Sequence, residues 1–274
     1  MAIYTQTVGR GPDLVLVHGW GVHGGIWDTL LPALAQHYRV TCVDLPGHGY
    51  SRAVPMPSTL SAAALAVAEA VPAHATWIGW SLGGLIGLRA ALDFPARLDA
   101  LVLVSTTPRF VTASDWPHAM PPTQLQQFAV DLGRDHRQTL QRFLSLQVRG
   151  EAAARASLRQ LRDAVFARGE PHPASLAAGL DILCRSDLRA ELRRIRMPTL
   201  VLTGEYDRLT PPQAGRALAA RIPDACCVQM PRTAHAPFLS RPADFHELLM
   251  TFLAGLPIPG RALVRSEERR VGKE

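Results

Sequence analysis

Short apolar segments recur along the chain, and between them lie segments in which apolar residues are spaced as on one face of a helix. Strands are predicted over residues 14–17, 40–43, 76–79, 100–104, 199–202 and 226–230. Helices are predicted over residues 59–70, 82–94, 211–220 and 242–253. This alternation predicts an α/β fold with a mostly parallel sheet covered by helices on both faces. Residues 4–8 are expected to add an antiparallel edge strand.

The alternation stops between about residues 107 and 197. This stretch has several prolines near its start and then continues with strongly amphipathic helical spacing. It predicts a helical cap, residues 108–196, inserted into a core domain made of residues 1–107 and 197–256. The insertion follows a strand, so it lies at the carboxyl ends of the strands, where open α/β sheets bind ligands.

The composition is that of a globular protein with one core and room for an insertion. The 274 residues are 47% hydrophobic and 19% charged, and no apolar run approaches the ~18 residues that span a bilayer. The first ten residues lack the basic and apolar regions of a secretory signal, so we expect a cytoplasmic protein. The net charge of +6, without a recognition motif, does not indicate nucleic acid binding. Residues 261–274 are charged and have no apolar period, and we interpret residues 257–274 as a disordered or foreign tail.

The sequence GWSLG at residues 79–83 places Ser81 between two glycines. A strand is predicted before this serine and a helix after it. A serine in such a turn is the nucleophile elbow of an α/β-hydrolase, where glycines avoid collisions with neighbouring backbone. The helix N-terminus also presents unpaired N–H groups to a developing negative charge. Ser81 is therefore the candidate nucleophile, and the α/β-hydrolase fold is expected.

A serine hydroxyl is a weak nucleophile, so it needs a base, and the base needs an acid to orient it. In this fold the chain order is serine, acid, histidine. His235 lies in a loop before the last predicted helix, among small residues that allow close approach, and is the candidate base. Asp207 follows the strand at 199–202 through a short turn and is the candidate acid. The alternatives for the acid are Glu205, Asp187 and Asp224.

Two backbone N–H groups are needed to stabilise the oxyanion. One is expected from Leu82, directly after the nucleophile. The other is expected from Trp20, because glycines on both sides of it let its N–H face the site. His18 in the same loop is interpreted as a structural hydrogen-bonding residue. The chain has no HExxH, no CxxC, no P-loop and no GxGxxG after a strand, so no metal, nucleotide or organic cofactor is expected.

Four segments give the chain a resemblance to a known family: GWG at 19–21, GWSLGG at 79–84, RFLSLQ at 142–147 and AHAPF at 234–238. From about residue 4 to residue 253, the chain resembles the pimeloyl-[acyl-carrier protein] methyl ester carboxylesterases of biotin biosynthesis. The resemblance implies a monomeric serine hydrolase with Ser81, Asp207 and His235 as its triad. The reaction it implies is hydrolysis of the methyl ester to pimeloyl-[acyl-carrier protein] and methanol.

The same resemblance implies which residues contact the substrate and its carrier. Substrate contacts are expected from Trp20, Ser81, Leu82, Phe143, Leu144, Ser145, Leu146, Gln147 and His235. Contacts to the acidic acyl-carrier protein are expected from Arg142, Arg155 and Arg159. Gln138 stands where the family has a further arginine, with Arg137 beside it.

Helical spacing within the predicted cap agrees in part with a basic docking surface. Arg155, Arg159 and Arg162 share one helical face, and the residues expected to pack on the adjacent face are Leu158, Leu161 and Val165.

Two other functions stay open from the sequence. One is a broad-specificity carboxylesterase or lipase acting on short-chain esters, and the other is a non-hydrolytic binding protein that retains a hydrolase fold.

Overall fold

A computed structural model describes residues 2–151 and 154–256, and its centre is a seven-stranded sheet. The strands are β1 (Thr5–Gly9), β2 (Asp13–Val17), β3 (Arg39–Val43), β4 (Ala75–Trp80), β5 (Leu98–Val104), β6 (Thr199–Gly204) and β7 (Ala225–Met230). Their spatial order is β1-β3-β2-β4-β5-β6-β7. Neighbouring strands are parallel except β1, which runs antiparallel to β3. The predicted sheet is confirmed, and the predicted tail at 257–274 lies outside the described residues.

Helices cover the sheet, so β4 and β6 are buried at every position. The helices are α1 (Leu31–Leu34), α2 (Leu60–Ala70), α3 (Leu82–Asp93), α4 (Pro122–Arg134), α5 (His136–Gln147), α6 (Ala154–Ala167), α7 (Pro173–Arg185), α8 (Pro212–Ala219), α9 (Pro237–Ser240) and α10 (Pro242–Ala254). Helix α3 packs on β4 and β5, and α8 packs on β6 and β7. Over the part of the chain that the structure describes, none of these helices is long and apolar enough to cross a membrane.

Residues 108–196, here called the cap segment, connect β5 to β6 and contain α4, α5, α6 and α7. Helix α4 packs against α5 and α7, and α5 packs against α6. The predicted packing face of α6 is confirmed, because Leu161 and Val165 are fully buried and Leu158 is partly buried. Asp135 separates α4 from α5 and caps α5 by accepting a hydrogen bond from the N–H of Gln138 at 2.9 Å. The division of the chain into a core and a separate cap domain stays a prediction.

Arg168, just after α6, ties the cap segment to the sheet. Its guanidinium donates a hydrogen bond of 3.0 Å to the carboxylate of Asp44, which directly follows β3. The same guanidinium lies 5.7 Å and 5.1 Å from the ring centroids of Tyr4 and Tyr50. Asp44 is fully buried and also accepts hydrogen bonds from the backbone N–H groups of Gly24 and Tyr50. A buried carboxylate needs such partners, so this contact fixes the end of α6 in one position.

Candidate active site

Ser81 occupies the turn between β4 and α3, where its backbone has φ 54° and ψ −115°. This conformation is strained for a residue that carries a side chain and persists only where the surroundings enforce it. The N–H of Ser81 donates to the carbonyl oxygen of Val104 at 3.0 Å, and its own carbonyl oxygen accepts from the hydroxyl of Thr106 at 2.7 Å. The turn is therefore fixed to the end of β5 on both sides of the candidate nucleophile.

The glycines around Ser81 are required by close backbone contacts. A Cβ atom at Gly79 would lie 2.4 Å from the carbonyl oxygen of Gly83, and one at Gly83 would lie 2.3 Å from that of Val17. The start of α3 is thus pressed against the ends of β4 and β2. A Cβ atom at Gly19 would lie 3.3 Å from Cβ of Ser81, so the loop after β2 runs beside the nucleophile.

His235 and Asp207 form a buried pair. Nδ1 of His235 lies 2.8 Å from Oδ2 of Asp207, and neither side chain is more than 1% exposed. Asp207 also accepts hydrogen bonds from the N–H groups of Leu209 and Thr210, both at 2.9 Å, and from the Thr210 hydroxyl at 2.7 Å. Burial alone would raise the pKa of Asp207, but attraction to His235 and these hydrogen bonds outweigh it and lower the pKa. Asp207 is therefore a carboxylate that holds the Nδ1–H tautomer of His235.

The second ring nitrogen of His235 is left as a proton acceptor. With Nδ1–H donating to Asp207, Nε2 is the nitrogen that carries the lone pair of the neutral ring, and it is buried without a hydrogen-bond partner in the described part of the chain. The ring centroid of Trp80 lies 5.7 Å from that of His235, which places this base beside the residue that precedes Ser81. Ser81 is only 3% exposed, so both reactive groups are shielded from bulk water.

Among the four candidate acids, all of which the structure describes, Asp207 is the one bonded to His235. Glu205 is exposed and its carboxylate is bonded to a backbone N–H on the surface. Asp187 is held by two arginine partners, whose hydrogen bonds lower its pKa to about 2. Asp224 is exposed just before β7. The geometry therefore favours Asp207 as the acid.

Two buried histidines hold the loop that carries Trp20. Nε2 of His48 accepts a hydrogen bond from the N–H of Gly21 at 3.3 Å, and Nδ1 of His18 lies 2.7 Å from the carbonyl oxygen of Gly19. The backbone is thus fixed on both sides of Trp20, whose own N–H has no partner among the described residues. The N–H of Leu82 is the first of α3, where the helix has no internal acceptor for it. Both expected oxyanion donors are therefore available.

Both histidines are neutral, as their hydrogen bonds require. Nε2 of His18 accepts from the N–H of Leu45 at 2.9 Å, so its Nδ1 carries the proton and donates to the Gly19 carbonyl. In the same way, Nδ1 of His48 donates to the carbonyl oxygen of Pro46 at 2.9 Å. Burial lowers the pKa of His18 well below its ordinary range and lowers the pKa of His48 to about 4.

Some of the residues expected to contact the substrate lie next to the triad. The rings of Trp20 and Phe143 meet edge to face with centroids 4.8 Å apart, and the Trp20 indole N–H donates to the carbonyl oxygen of Leu176 at 2.9 Å. Gln147, the last residue of α5, accepts a hydrogen bond from the N–H of His235 through its backbone oxygen at 2.9 Å. Helices α5 and α7 therefore form an apolar wall beside the expected oxyanion hole.

The other residues of the segment 142–147 do not lie beside the triad. Leu144 is fully buried in the core. Ser145 and Leu146 line a cleft of about 330 Å³ between α4 and α5, together with Arg142. Arg142 is 59% exposed and pairs with Asp131 at 2.7 Å. Ser145 and Leu146 therefore lie beside Arg142, which is expected to contact the carrier, rather than beside the triad.

The other two arginines expected to contact the carrier lie on α6. Arg155 and Arg159 are exposed, as is Arg162 on the same face, and none of them forms an ion pair with a residue that the structure describes. Arg137, beside Gln138, pairs instead with Glu170. Helix α6 thus presents a row of exposed guanidinium groups that no acidic side chain of the described chain neutralises.

Sequence reasoning missed three residues that complete the site. Thr210 donates to Asp207, His48 holds the Trp20 loop, and Glu151 accepts a hydrogen bond from the N–H of Ala234 at 2.7 Å. The glycines around His48 predict a turn, but they do not reveal its contact with a loop 27 residues away. No motif surrounds Glu151, which lies 83 residues from its partner in sequence.

The chain is similar in sequence and in structure to known hydrolases. Residues 12–242 match a protein family described as alpha/beta hydrolase fold. An esterase from Exiguobacterium antarcticum has a TM-score of 0.82 at 21% identity, over 92% of this chain and 95% of its own, which shows the shared fold. The pimeloyl-[acyl-carrier protein] methyl ester esterase of Xanthomonas campestris pv. campestris (strain B100) is 46% identical over 93% of this chain and 100% of its own. A protein of the same name from Nitrosomonas europaea is 44% identical over 89% of this chain and 96% of its own. The chain belongs to this esterase family.

Membership in the pimeloyl-[acyl-carrier protein] methyl ester esterases confirms the resemblance found in the sequence, and it confirms the α/β-hydrolase fold. The protein is therefore a carboxylic ester hydrolase. The esterase has a serine at a strained turn, an imidazole oriented by a carboxylate, and two backbone N–H groups beside them. These are the groups that acyl transfer through a covalent serine intermediate requires.

Proposed function

We propose that this esterase hydrolyses the terminal methyl ester of pimeloyl-[acyl-carrier protein], which yields methanol and pimeloyl-[acyl-carrier protein] for biotin biosynthesis. The names of relatives at 46% and 44% identity support the substrate. The observation that carries the chemistry is the 2.8 Å contact between His235 and Asp207 beside the Ser81 turn. We assign Ser81, His235 and Asp207 as nucleophile, base and acid.

In the proposed mechanism, Nε2 of His235 takes the proton of the Ser81 hydroxyl as its oxygen attacks the ester carbonyl. Asp207 stabilises the imidazolium that forms. The N–H groups of Leu82 and Trp20 donate to the oxyanion. His235 then protonates the leaving methoxide, and methanol departs. A water molecule activated by His235 hydrolyses the acyl-enzyme and restores the serine.

The apolar wall beside the site suits the methylene chain of the acyl group. Trp20 and Phe143 contribute buried aromatic rings, and apolar surfaces of this kind gain free energy by covering an aliphatic chain. We assign substrate contacts to the expected residues along α5 as well, with Gln147 next to His235. The thioester at the far end of the chain has to stay out of reach of Ser81, or the carrier would lose its acyl group.

We assign the carrier contacts to the cap segment. Arg155 and Arg159 are exposed and carry no ion pair among the described residues, so they are free to attract an acidic partner. Arg142 contacts the carrier by exchanging Asp131 for a carboxylate of the partner. In this proposal residues 108–196 act as a cap over the core, and the enzyme works as a cytoplasmic monomer.

The test is hydrolysis of the methyl ester of pimeloyl-carrier protein by the purified enzyme, followed by mass spectrometry of the intact carrier. We expect the carrier to lose the mass of one methylene unit while keeping its thioester. Ser81→Ala is expected to lower kcat by about 10⁴-fold or more without changing the near-ultraviolet circular dichroism. Cleavage of p-nitrophenyl esters with no action on the carrier-bound ester would overturn the substrate assignment and favour a broad-specificity esterase.

A further inference from the structure

Two successive backbone N–H groups of the loop that carries His235 donate hydrogen bonds to the cap segment. The N–H of His235 donates to the backbone oxygen of Gln147 at 2.9 Å, and the N–H of Ala234 donates to Oε1 of Glu151 at 2.7 Å. Both acceptors belong to the short stretch that begins with the last residue of α5 and precedes α6. The first is a main-chain atom that any residue supplies. The second depends on the side chain at position 151.

Glu151 is unusual for a carboxylate because it is only 7% exposed. Burial raises its pKa, the hydrogen bond from Ala234 lowers it, and the nearby charge of Asp207 raises it further. No arginine of the described chain forms an ion pair with it. Burying a carboxyl group is costly, and among the described residues the one hydrogen bond that the Glu151 side chain accepts comes from the loop of His235, while its Oε2 has no partner.

The N–H that Glu151 binds belongs to the Thr233–Ala234 peptide group, one residue before His235, so the hydrogen bond holds the backbone that leads into His235. The loop has little freedom elsewhere. Arg232 has a φ of 59°, and a Cβ atom at Gly204 would lie 1.9 Å from the carbonyl oxygen of Ala234. A shift of the loop would therefore change the position of Nε2 of His235 relative to Ser81. Displacements of about 1 Å in a catalytic group cost up to about 100-fold in rate.

We propose that Glu151 is a positioning residue for His235, which acts by accepting the hydrogen bond of the Ala234 N–H. This inference rests on the proposed role of His235 as the base. It also makes the alignment of the base dependent on the cap segment, because both acceptors of the loop belong to it. His235 is aligned while the end of α5 contacts the loop. If that stretch moved away, the loop would lose both hydrogen bonds.

The experiment compares Glu151→Ala with Glu151→Gln, which keeps a side-chain oxygen for the Ala234 N–H. The matched control is Glu205→Ala. Glu205 accepts a hydrogen bond from the N–H of Arg232 in the same loop, also at 2.7 Å, but its side chain is exposed and forms no hydrogen bond with Asp207 or His235. Hydrolysis of p-nitrophenyl acetate is measured per active site, with sites counted by titration with a fluorophosphonate. Counting sites separates loss of alignment from loss of folded enzyme.

We expect Glu151→Ala to lower kcat per titrated site by about tenfold or more with KM changed less than about threefold. Glu151→Gln and Glu205→Ala are expected to stay within about threefold of the parent enzyme. An unchanged kcat per site in Glu151→Ala, or an equal loss in Glu151→Gln, overturns the proposal.

If the alanine variant does not fold, Glu151→Asp replaces it, since its shorter side chain withdraws the acceptor. Full activity of that variant also overturns the proposal. The small ester keeps this result independent of the carrier, and activity in Ser81→Ala would refute the triad instead.

Discussion

The indole Nε1–H of Trp80 donates a hydrogen bond of 2.7 Å to the carbonyl oxygen of His235. The residue directly before the candidate nucleophile thus binds the main chain of the candidate base, 155 positions further along the sequence. Trp80 is fully buried and also packs edge to face on Phe238, with ring centroids 5.1 Å apart. Because β4 is the central strand that presents Ser81, this contact sets the distance between the sheet and the His235 loop.

Trp80→Phe is expected to keep the aromatic packing but to leave the His235 carbonyl without its donor. We expect kcat on p-nitrophenyl acetate to fall about tenfold and the free energy of unfolding to fall by about 1–3 kcal/mol. The matched control is Trp77→Phe in the same strand, because Trp77 is also fully buried but its Nε1 has no partner among the described residues. If both variants lose kcat equally, lost ring volume rather than the hydrogen bond accounts for the effect.

Asp207→Asn is expected to lower kcat by about 10⁴-fold with little change in KM. The amide no longer favours the Nδ1–H tautomer of His235 or stabilises the imidazolium. Steady-state kinetics on a p-nitrophenyl ester measures both constants. Glu205→Gln serves as the comparison and is expected to stay near the parent rate, because Glu205 is exposed and bonded to the loop surface. A crippled Glu205→Gln together with a mild Asp207→Asn would reverse the assignment.

Charge reversal of Arg155 and Arg159 to glutamate is expected to reduce kcat/KM for the carrier-bound methyl ester and to spare p-nitrophenyl acetate. Exposed charges act mainly on the encounter rate and are screened beyond ~8–10 Å at physiological salt. Parent kcat/KM on the carrier-bound ester should therefore fall as salt rises, while that on the small ester stays flat. Arg10→Glu, at the exposed turn between β1 and β2, is the control for a general change of charge. Equal losses on both substrates would instead assign these arginines to placement of the cap segment.

The stability of the protein is expected to fall in mild acid through His48. Its pKa is about 4 in the folded protein, below the ordinary value of 6.5, so the unfolded chain binds more protons between these two pH values. The stabilisation is complete above pH ~6.5, declines as the pH falls, and is lost below pH ~4, which amounts to about 3 kcal/mol. Urea unfolding across this range measures it. His48→Gln has no titrating ring and is expected to show a smaller slope; an identical slope would contradict the assignment to His48.

The sheet and its helices could be predicted because they repeat a simple pattern. Buried parallel strands are apolar throughout, so β4 and β6 are recognisable from their own residues. Ser81 is recognisable because the turn it occupies demands glycines at fixed positions. Glu151 and His48 could not be found in this way. Each binds a backbone N–H group, and a backbone N–H is present at nearly every residue, so no partner residue type marks the contact in the sequence.

The two hydrogen bonds that the His235 loop donates to the cap segment have a consequence for how such enzymes diversify. In the proposed function, the carrier contacts and part of the substrate contacts lie in residues 108–196, so exchanging this segment for the equivalent part of a relative is one route to a new ester specificity. The graft is not independent of the chemistry, however. If the transferred segment has no side chain at position 151 that accepts a hydrogen bond, the chimaera would gain a new pocket but would misalign His235. Chimaeras of this kind should therefore be chosen first by what stands at that position, and only then by the shape of the pocket.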